Sequence, residues 1–387
     1  MKRIGRIWND VLTEENGVRA VIEGTQDKRH KVRQLLYDDE YVAQHRELWH
    51  VIDPEKAKAY IRPIIEELRS GSWKHGTPKV KERFCRNRTA GGGKWRTLYV
   101  PKLKDHIVAH MIMQKAMPAF TRGMHPNCCG SVPDRGIKHI VTNVENWFKN
   151  DKQCRYFVKL DIRKFFDNID RDILVQKLQG KIKDKFVLEA LTGIIDSAPV
   201  ACPIGYYTSP WFANLYLEDL DHFIDELHKE RRGKRIKYVR HYLRYMDDML
   251  LMGTCRKDLE KAVSLIKQYL SDLKLEIKDS WEIKKIGKHD KTWKLKEGTY
   301  WCDIGGYKFC KDATILRGNI YLSAKRLAKK MNRQGYYTDH QCQSINARIG
   351  WSKHADSYNF IENEIKPYVD LKITRRIISD VEKKRKQ

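Results

Sequence analysis

Two adjacent carboxylates, Asp247 and Asp248, constrain this chain more than any other feature. They follow Lys237-Tyr238-Val239-Arg240-His241-Tyr242-Leu243-Arg244-Tyr245-Met246 and precede Met249-Leu250-Leu251-Met252. Aromatic and branched residues in both flanks favour strands, so the stretch reads as a β-hairpin with the acids at its tip and Gly253 closing the second arm. Neighbouring acids repel each other, and apolar surroundings raise the cost of their charge. A pair held between strands is stabilised by something positive between the carboxylates, commonly a metal ion. A polar turn on a surface hairpin is the alternative, because four residues alone are weak evidence.

The charge balance extends the argument. Lys and Arg total 76 against 50 Asp and Glu, a net charge of +26 spread along all 387 residues. Such an excess suggests a polyanionic partner. Hydrophobic residues at 41% suffice for a sizeable core, and the length suits two or three packed subdomains. The nine cysteines form no CxxC pair, and His125 beside Cys128-Cys129 completes no zinc spacing, so free thiols in a reducing cytoplasm are expected. No apolar run approaches the ~20 residues of a membrane span, so no membrane partner is expected.

Residues 1–50 are charged and weakly periodic, which predicts an N-terminal extension of short helices. Asp53-Pro54 opens a helix with Ala57, Ile61, Ile64, Ile65 and Leu68 on one face and Gly71 at its end. Residues 78–101 read as a hairpin whose loop and borders carry Arg86, Arg88, Gly91-Gly92-Gly93, Lys94 and Arg96. This device could close on a triphosphate or be a solvated basic edge. His106 and His110 stand one helical turn apart without a third metal ligand, which favours packing or RNA contact. The loop Gly130–Ile137 carries Arg135, which could meet a phosphate or serve the loop itself.

A second acidic stretch, Tyr156–Asp167, delivers Asp161 at the end of a β-rich run, where an Asp can also be a cap or turn residue. Helical patterns follow near Asp170–Leu178 and through Val187, Leu188, Leu191, Ile194 and Ile195. Strand, helices and hairpin fit an α+β sheet covered on one face, which could bring Asp161 beside Asp247 and Asp248. A third stretch, Pro203–Leu217, turns into a long helix, with Ser209 as the cap and Pro210 in the first turn. That helix is expected to run through Leu220, Phe223, Ile224 and Leu227 and fray at Lys229–Lys234.

Taken in order, the basic hairpin, the strand with Asp161, the turn and helix at 203–217 and the Tyr-Met-Asp-Asp hairpin resemble reverse transcriptases over about residues 50–330. Pro203-Ile204-Gly205 with Thr208-Ser209 looks most like the diversity-generating retroelement enzymes and related prophage or defence-associated enzymes of bacteria. Pro210 departs from the Gln usual there after the Ser. Asp303–Phe309 looks like the short strand motif that follows the palm of those enzymes. The resemblance implies a right-hand polymerase fold. Fingers would occupy 51–155 with part of the palm, the palm 156–310, and a helical thumb with a basic tail 311–387.

By the same resemblance, Asp161, Asp247 and Asp248, with the Ile162 carbonyl, would hold two Mg²⁺ ions about 3.5–4 Å apart, Mn²⁺ substituting. Arg96, helped by Lys94, would grip the incoming dNTP. Phe166, five residues after Asp161, would be the aromatic gate against a 2′-hydroxyl, with Phe165 or Phe166 as ordinary core being the other reading. Ile204 stands before Gly205 where many family members have a Gln that contacts the nascent pair, which implies lowered fidelity. Lys278 is a candidate for protonating pyrophosphate, or simply a solvated lysine.

The region after 315 reads as helical and basic. Lys325, Arg326, Lys329 and Lys330, with Arg317 and Arg333, would face nucleic acid, and Leu322, Leu327 and Met331 would pack inward. Trp351, Tyr358 and Tyr368 could stack on bases or on one another, and residues 382–387 read as a frayed tail. The expected function is RNA-directed DNA polymerisation on a cognate structured non-coding RNA, with an RNA/DNA duplex as a further partner and an accessory protein as a candidate one. It would serve diversification or phage defence. The alternatives are a template-independent or protein-primed DNA polymerase and a non-catalytic nucleic-acid-binding module.

Overall fold

A computed structural model describes residues 3–25, 54–86, 92–292 and 294–384. Residues 26–50, Asp53, Arg88, Gly91 and the last residues of the basic tail lie outside it. Two short helices begin the chain, α1 (Trp8–Val11) and α2 (Glu14–Thr25). Their Val11, Ala20 and Val21 are wholly buried in the main core. Asn16 Nδ2 ties them down by donating to the carbonyls of Val11 (3.0 Å) and Met111 (3.1 Å). Helix α3 (Pro54–Ser70) buries the expected face of Ala57, Ile61, Ile64, Ile65 and Leu68.

Strands β1 (Lys79–Arg86) and β2 (Gly93–Val100) form the basic hairpin, in register from Lys79 opposite Val100 to Arg86 opposite Gly93. Helices α4 (Leu103–Thr121) and α5 (Ile137–Asn150) follow. His110 is buried in α4 and stacks on Tyr207, which settles that histidine as packing. Arg135, in the loop before α5, donates to the His125 carbonyl at 2.7 Å and so fastens the loop to itself.

Next come β3 (Tyr156–Asp161), α6 (Phe165–Asn168), α7 (Arg171–Lys181), α8 (Lys185–Asp196), α9 (Ser209–Tyr216) and α10 (Glu218–Glu226). The long helix expected from 209 to 227 is thus two helices that break at Leu217. Ser209 does not cap: its hydroxyl donates to the Pro203 carbonyl at 2.7 Å, and Thr208 holds the cap position without a side-chain bond. Residues 229–234 do not fray either. They lie in a hairpin of β4 (His228–Arg231) and β5 (Lys234–Lys237), turned at Arg232-Gly233, both with positive φ.

The central sheet then closes with β6 (His241–Tyr245), β7 (Asp248–Gly253), α11 (Arg256–Asp272) and β8 (Lys284–Lys285), in the order β6-β7-β3-β8. Both faces are covered, not one. Val158, Leu160, Met249 and Leu251 join the large core, while Phe157, Leu243, Leu250 and Met252 join a second. Burial on both sides explains the unbroken apolar run of β7, because alternation marks only sheets with one wet face.

The second core is completed by α5 and a three-stranded sheet of β9 (Cys302–Ile304), β10 (Tyr307–Phe309) and β11 (Thr314–Leu316). The motif at 303–309 is therefore two strands turning at Gly305-Gly306, not one. The chain ends in α12 (Gly318–Gln334), α13 (Asp339–Ser352), α14 (Tyr358–Phe360), a π-turn at Ile361–Ile365 and α15 (Leu371–Lys384). This helical unit has its own small core of Ala324, Ala328, Met331, Ile345, Ile349, Ile365 and Val369. Leu322, expected inside, is 52% exposed, because it falls on the face of α12 away from Ala324, Ala328 and Met331. Trp351 stacks on Tyr307 in the second core, whereas Tyr358 is exposed. Among the described residues no helix is long and apolar enough to cross a membrane.

Candidate active site

The sheet register brings the three acids together. Asp161 ends β3 directly opposite Asp248, the first residue of β7, and the Ile162 amide donates to the Asp247 carbonyl at 3.4 Å. Tyr245 pairs with Asp248, so Met246 and Asp247 are the whole turn. Burial pushes the Asp247 carboxyl above its ordinary range, and repulsion from Asp248 and Asp161 adds to the shift. Burial raises Asp248 as well, against the pull of Lys159. Lys278 Nζ stands 2.6 Å from Asp161 Oδ1. That contact lacks hydrogen-bond alignment, and the buried oxygen has no hydrogen-bond partner. An Asp161 oxygen held by an ion pair but no hydrogen bond, beside two carboxyls that resist ionisation, is a donor set suited to hard cations such as Mg²⁺.

The turn is under strain and is held from behind. Met246 has φ +56°, where a side chain is disfavoured. Beneath it runs the segment Asn127–Gly130: the Arg244 amide donates to the Asn127 carbonyl and the Cys129 amide to the Arg244 carbonyl. Gly130 is required at this point, since a Cβ there would lie 2.8 Å from the Met246 nitrogen and 2.9 Å from its Cγ. Arg244 is fully buried. It donates to both Asp221 oxygens at 2.6 Å, to Asn214 Oδ1 at 3.1 Å and to the Met246 carbonyl at 3.1 Å. Burial opposes the guanidinium charge, and Asp221 more than restores it, leaving Arg244 above its ordinary value. Tyr242 donates to the same Asp221 at 2.7 Å, and Asn214 reaches the Gly130 carbonyl at 2.6 Å. The sequence reading missed this network, whose one visible sign is an Arg set inside the apolar flank of the acids.

In front of the acids lies a cavity of about 410 Å³ lined by Lys94, Arg96, Ile162, Phe166, Ile204, Asp247 and Lys278 among others. Seven residues singled out from sequence thus share one space. Gly205 is absent from the lining and serves the joint below: its φ is +115°, and a Cβ would lie 2.4 Å from the Tyr99 carbonyl oxygen. The Tyr99 amide donates to the Ile204 carbonyl at 2.8 Å, fixing the basic hairpin to the turn before α9. Phe165 is buried in the main core, whereas Phe166 is only partly buried. Lys164, with φ +46°, sets up that exchange of directions. Arg163 and Lys164 line the cavity too and were not singled out, although they follow Asp161 directly.

Arg96 stands opposite Arg83 in the hairpin. Like charges at opposed positions destabilise a sheet, so the pair is costly until an anion joins it. Arg83 belongs to a wider groove of about 900 Å³ that runs to α12 and is also lined by Leu322, Arg326, Lys330 and Arg348. Of the four helix cations expected to face nucleic acid, Arg326 and Lys330 line this groove. Lys325 is paired with Glu364, and Lys329 lies 5.3 Å over the Tyr368 ring, so both are engaged within the helical unit.

Comparison with known proteins agrees with this geometry. The profile of the family described as reverse transcriptase (RNA-dependent DNA polymerase) matches residues 81–280. Retron Ec73 reverse transcriptase of Escherichia coli is 23% identical over 299 residues, covering 75% of this chain and 88% of that protein. An uncharacterized 91 kDa protein in a cob intron of Schizosaccharomyces pombe is 29% identical over 182 residues, which are 44% of this chain and 21% of that one. The group II intron-encoded protein LtrA of Lactococcus lactis subsp. cremoris is 26% identical over 181 residues, 43% of this chain and 28% of that one. The chain thus spans less than a third of the length of those two intron proteins and most of the retron enzyme. Apo telomerase of Candida tropicalis truncated from its C-terminal domain aligns with a TM-score of 0.45 at 11% identity, over 67% of this chain and 60% of that one. The family profile extends over half of the chain and takes in most of the hairpin, both acidic stretches and the turn between them, and the chain belongs to the reverse transcriptase family.

Proposed function

We propose that the protein is an RNA-directed DNA polymerase that copies a structured cognate RNA into cDNA from dNTPs. The observation that carries this reading is the acidic cluster of Asp161, Asp247 and Asp248, of which Asp247 lines the cavity together with Lys94, Arg96, Phe166, Ile204 and Lys278. Asp161, Asp247, Asp248 and the Ile162 carbonyl would hold two Mg²⁺ ions, or Mn²⁺ in their place. When bound, these supply Lewis-acid polarisation of the primer hydroxyl and the triphosphate. Arg96 and Lys94 hold the triphosphate by charge-assisted hydrogen bonds. The Phe166 ring excludes a 2′-hydroxyl, and the Ile204 side chain gives the nascent pair an apolar neighbour with no hydrogen bond to offer. Lys278, ion-paired with Asp161, is the candidate donor to the leaving pyrophosphate.

In this reading β1–β2 and the helices before β3 are fingers, the central sheet with α7–α11 is the palm, and the helices from α12 onward are the thumb. The groove with Arg83, Arg326, Lys330 and Arg348 takes the backbone of an RNA/DNA duplex. Similarity along most of a retron reverse transcriptase and the net charge of +26 support an RNA partner, and nine free thiols suit a reducing cytoplasm. Primer extension on a defined RNA with and without that RNA tests the proposal. Template-directed cDNA that appears only with the RNA is expected. Equal product in its absence would replace this reading with template-independent synthesis.

A further inference from the structure

Among the described residues, one cluster of metal-ligating side chains lies outside the acidic site. His289 sits in the loop after β8, and Cys310 and Asp312 sit in the tight turn between β10 and β11. His289 Nδ1 is 3.0 Å from Asp312 Oδ1, Cys310 Sγ is 3.1 Å from the same oxygen, and Sγ and Nδ1 are 3.7 Å apart. Three donors of three kinds, sulfur, nitrogen and oxygen, therefore converge on one point.

The spacing is what a tetrahedral ion asks for. Zinc bonds of about 2.3 Å to sulfur and about 2.0–2.2 Å to nitrogen and oxygen place neighbouring ligand atoms about 3.3–3.6 Å apart. The observed separations differ from that range by a few tenths of an ångström, within the reach of side-chain adjustment. A mixed thiolate, imidazole and carboxylate set suits zinc better than Mg²⁺ or Ca²⁺, which take oxygen ligands. Support and access are both present. The Trp301 ring packs edge-on against His289 at 5.3 Å, and the His289 amide donates to Asp312. Asp312 keeps 32% of its side chain exposed, against 10% for His289, so the open side of the triad faces solvent.

We propose that His289, Cys310 and Asp312 form a zinc site, with a water molecule as the fourth ligand. Binding converts the Cys310 thiol to a thiolate and releases its proton to solvent, and His289 ligates as the neutral tautomer whose Nδ1 carries no proton. The ion clips the β10–β11 turn to the loop that leaves β8. That joint already carries the bond from the Lys311 amide to the Gly287 carbonyl at 2.8 Å and leads through β11 into α12. Spacing rules for paired cysteines pass over the site, because its ligands are one distant His and a Cys-x-Asp turn.

The test uses the full chain without a histidine tag, equilibrated with zinc and then desalted. About one zinc per chain is expected by elemental analysis, falling at least tenfold in Cys310→Ser and in His289→Gln but not in Cys85→Ser. Cobalt in place of zinc should give the intense visible bands of a tetrahedral site and a thiolate charge-transfer band, both lost in Cys310→Ser. The cobalt spectrum of the unaltered chain decides the matter even if a variant fails to fold. A chain that retains no zinc and shows no thiolate-to-cobalt band would reduce the cluster to a hydrogen-bond knot and overturn the proposal.

Discussion

Phe165 and Phe166 both border the cavity, but Phe165 is buried in the main core, whereas Phe166 packs against that core and stays partly exposed. Phe166→Ala should therefore relax discrimination against rNTPs by roughly tenfold or more, read from single-nucleotide incorporation with matched dNTP and rNTP. Phe165→Ala should instead lower stability by about 3–5 kcal/mol; relaxed sugar selection in this variant alone would reverse the assignment. The buried pair behind the turn makes a second residue-scale case. Asp221→Asn leaves Arg244 charged and half-partnered in a fully buried site, a loss of about 3–5 kcal/mol, measurable by denaturant unfolding. The double change Asp221→Leu with Arg244→Met should recover part of it, because no uncompensated charge remains. The acids of the site were legible in the sequence, since apolar flanks give adjacent carboxylates no other support. Arg244 and Asp221 were not, because each alone reads as a surface charge and only the fold makes them partners.

At the scale of elements, the turn at Met246-Asp247 depends on a segment far from it in sequence. Gly130→Ala should push a Cβ into the Met246 backbone, moving the acids relative to Asp161. A displacement near 1 Å is worth roughly a hundredfold in rate, so incorporation should fall by roughly tenfold to a hundredfold. Equal activity in this variant would mean that the turn tolerates the shift. The basic hairpin, the strand ending at Asp161 and the acidic hairpin were readable from apolar runs and glycines. The break at Leu217 was not, because Leu220 and Ile224 continue the periodicity of α9 across it. Nor was the β4–β5 hairpin, whose basic exposed strands carry no apolar pattern. The sheet's second covered face also escaped the sequence reading, because the layer that covers it comes from residues 137–150 and 302–316, on either side of the acidic hairpin.

At the scale of the molecule, the net charge of +26 meets a groove that joins the hairpin to α12. Binding of an RNA/DNA duplex should weaken steeply with salt, with a log–log slope of roughly −0.7 to −0.9 per phosphate contact. Arg326→Gln with Lys330→Gln should make that slope shallower by about two contacts. Lys325→Gln should change it less, since Lys325 is already paired with Glu364. A slope unmoved by the double change would place the duplex elsewhere. The charge and its partner class were visible in composition, but which lysines are free to act was not, because that depends on the partners each meets within the helical unit.

The central claim is that Asp161, Asp247 and Asp248 perform the chemistry, and one measurement addresses it directly. Single-nucleotide incorporation on an RNA template–DNA primer would be followed with Mg²⁺ for the unaltered chain and Asp247→Asn, alongside duplex affinity for both. The account predicts a loss of at least roughly a thousandfold in incorporation with affinity held within about twofold. Incorporation at the unaltered rate by Asp247→Asn, with the duplex bound equally well, would contradict it.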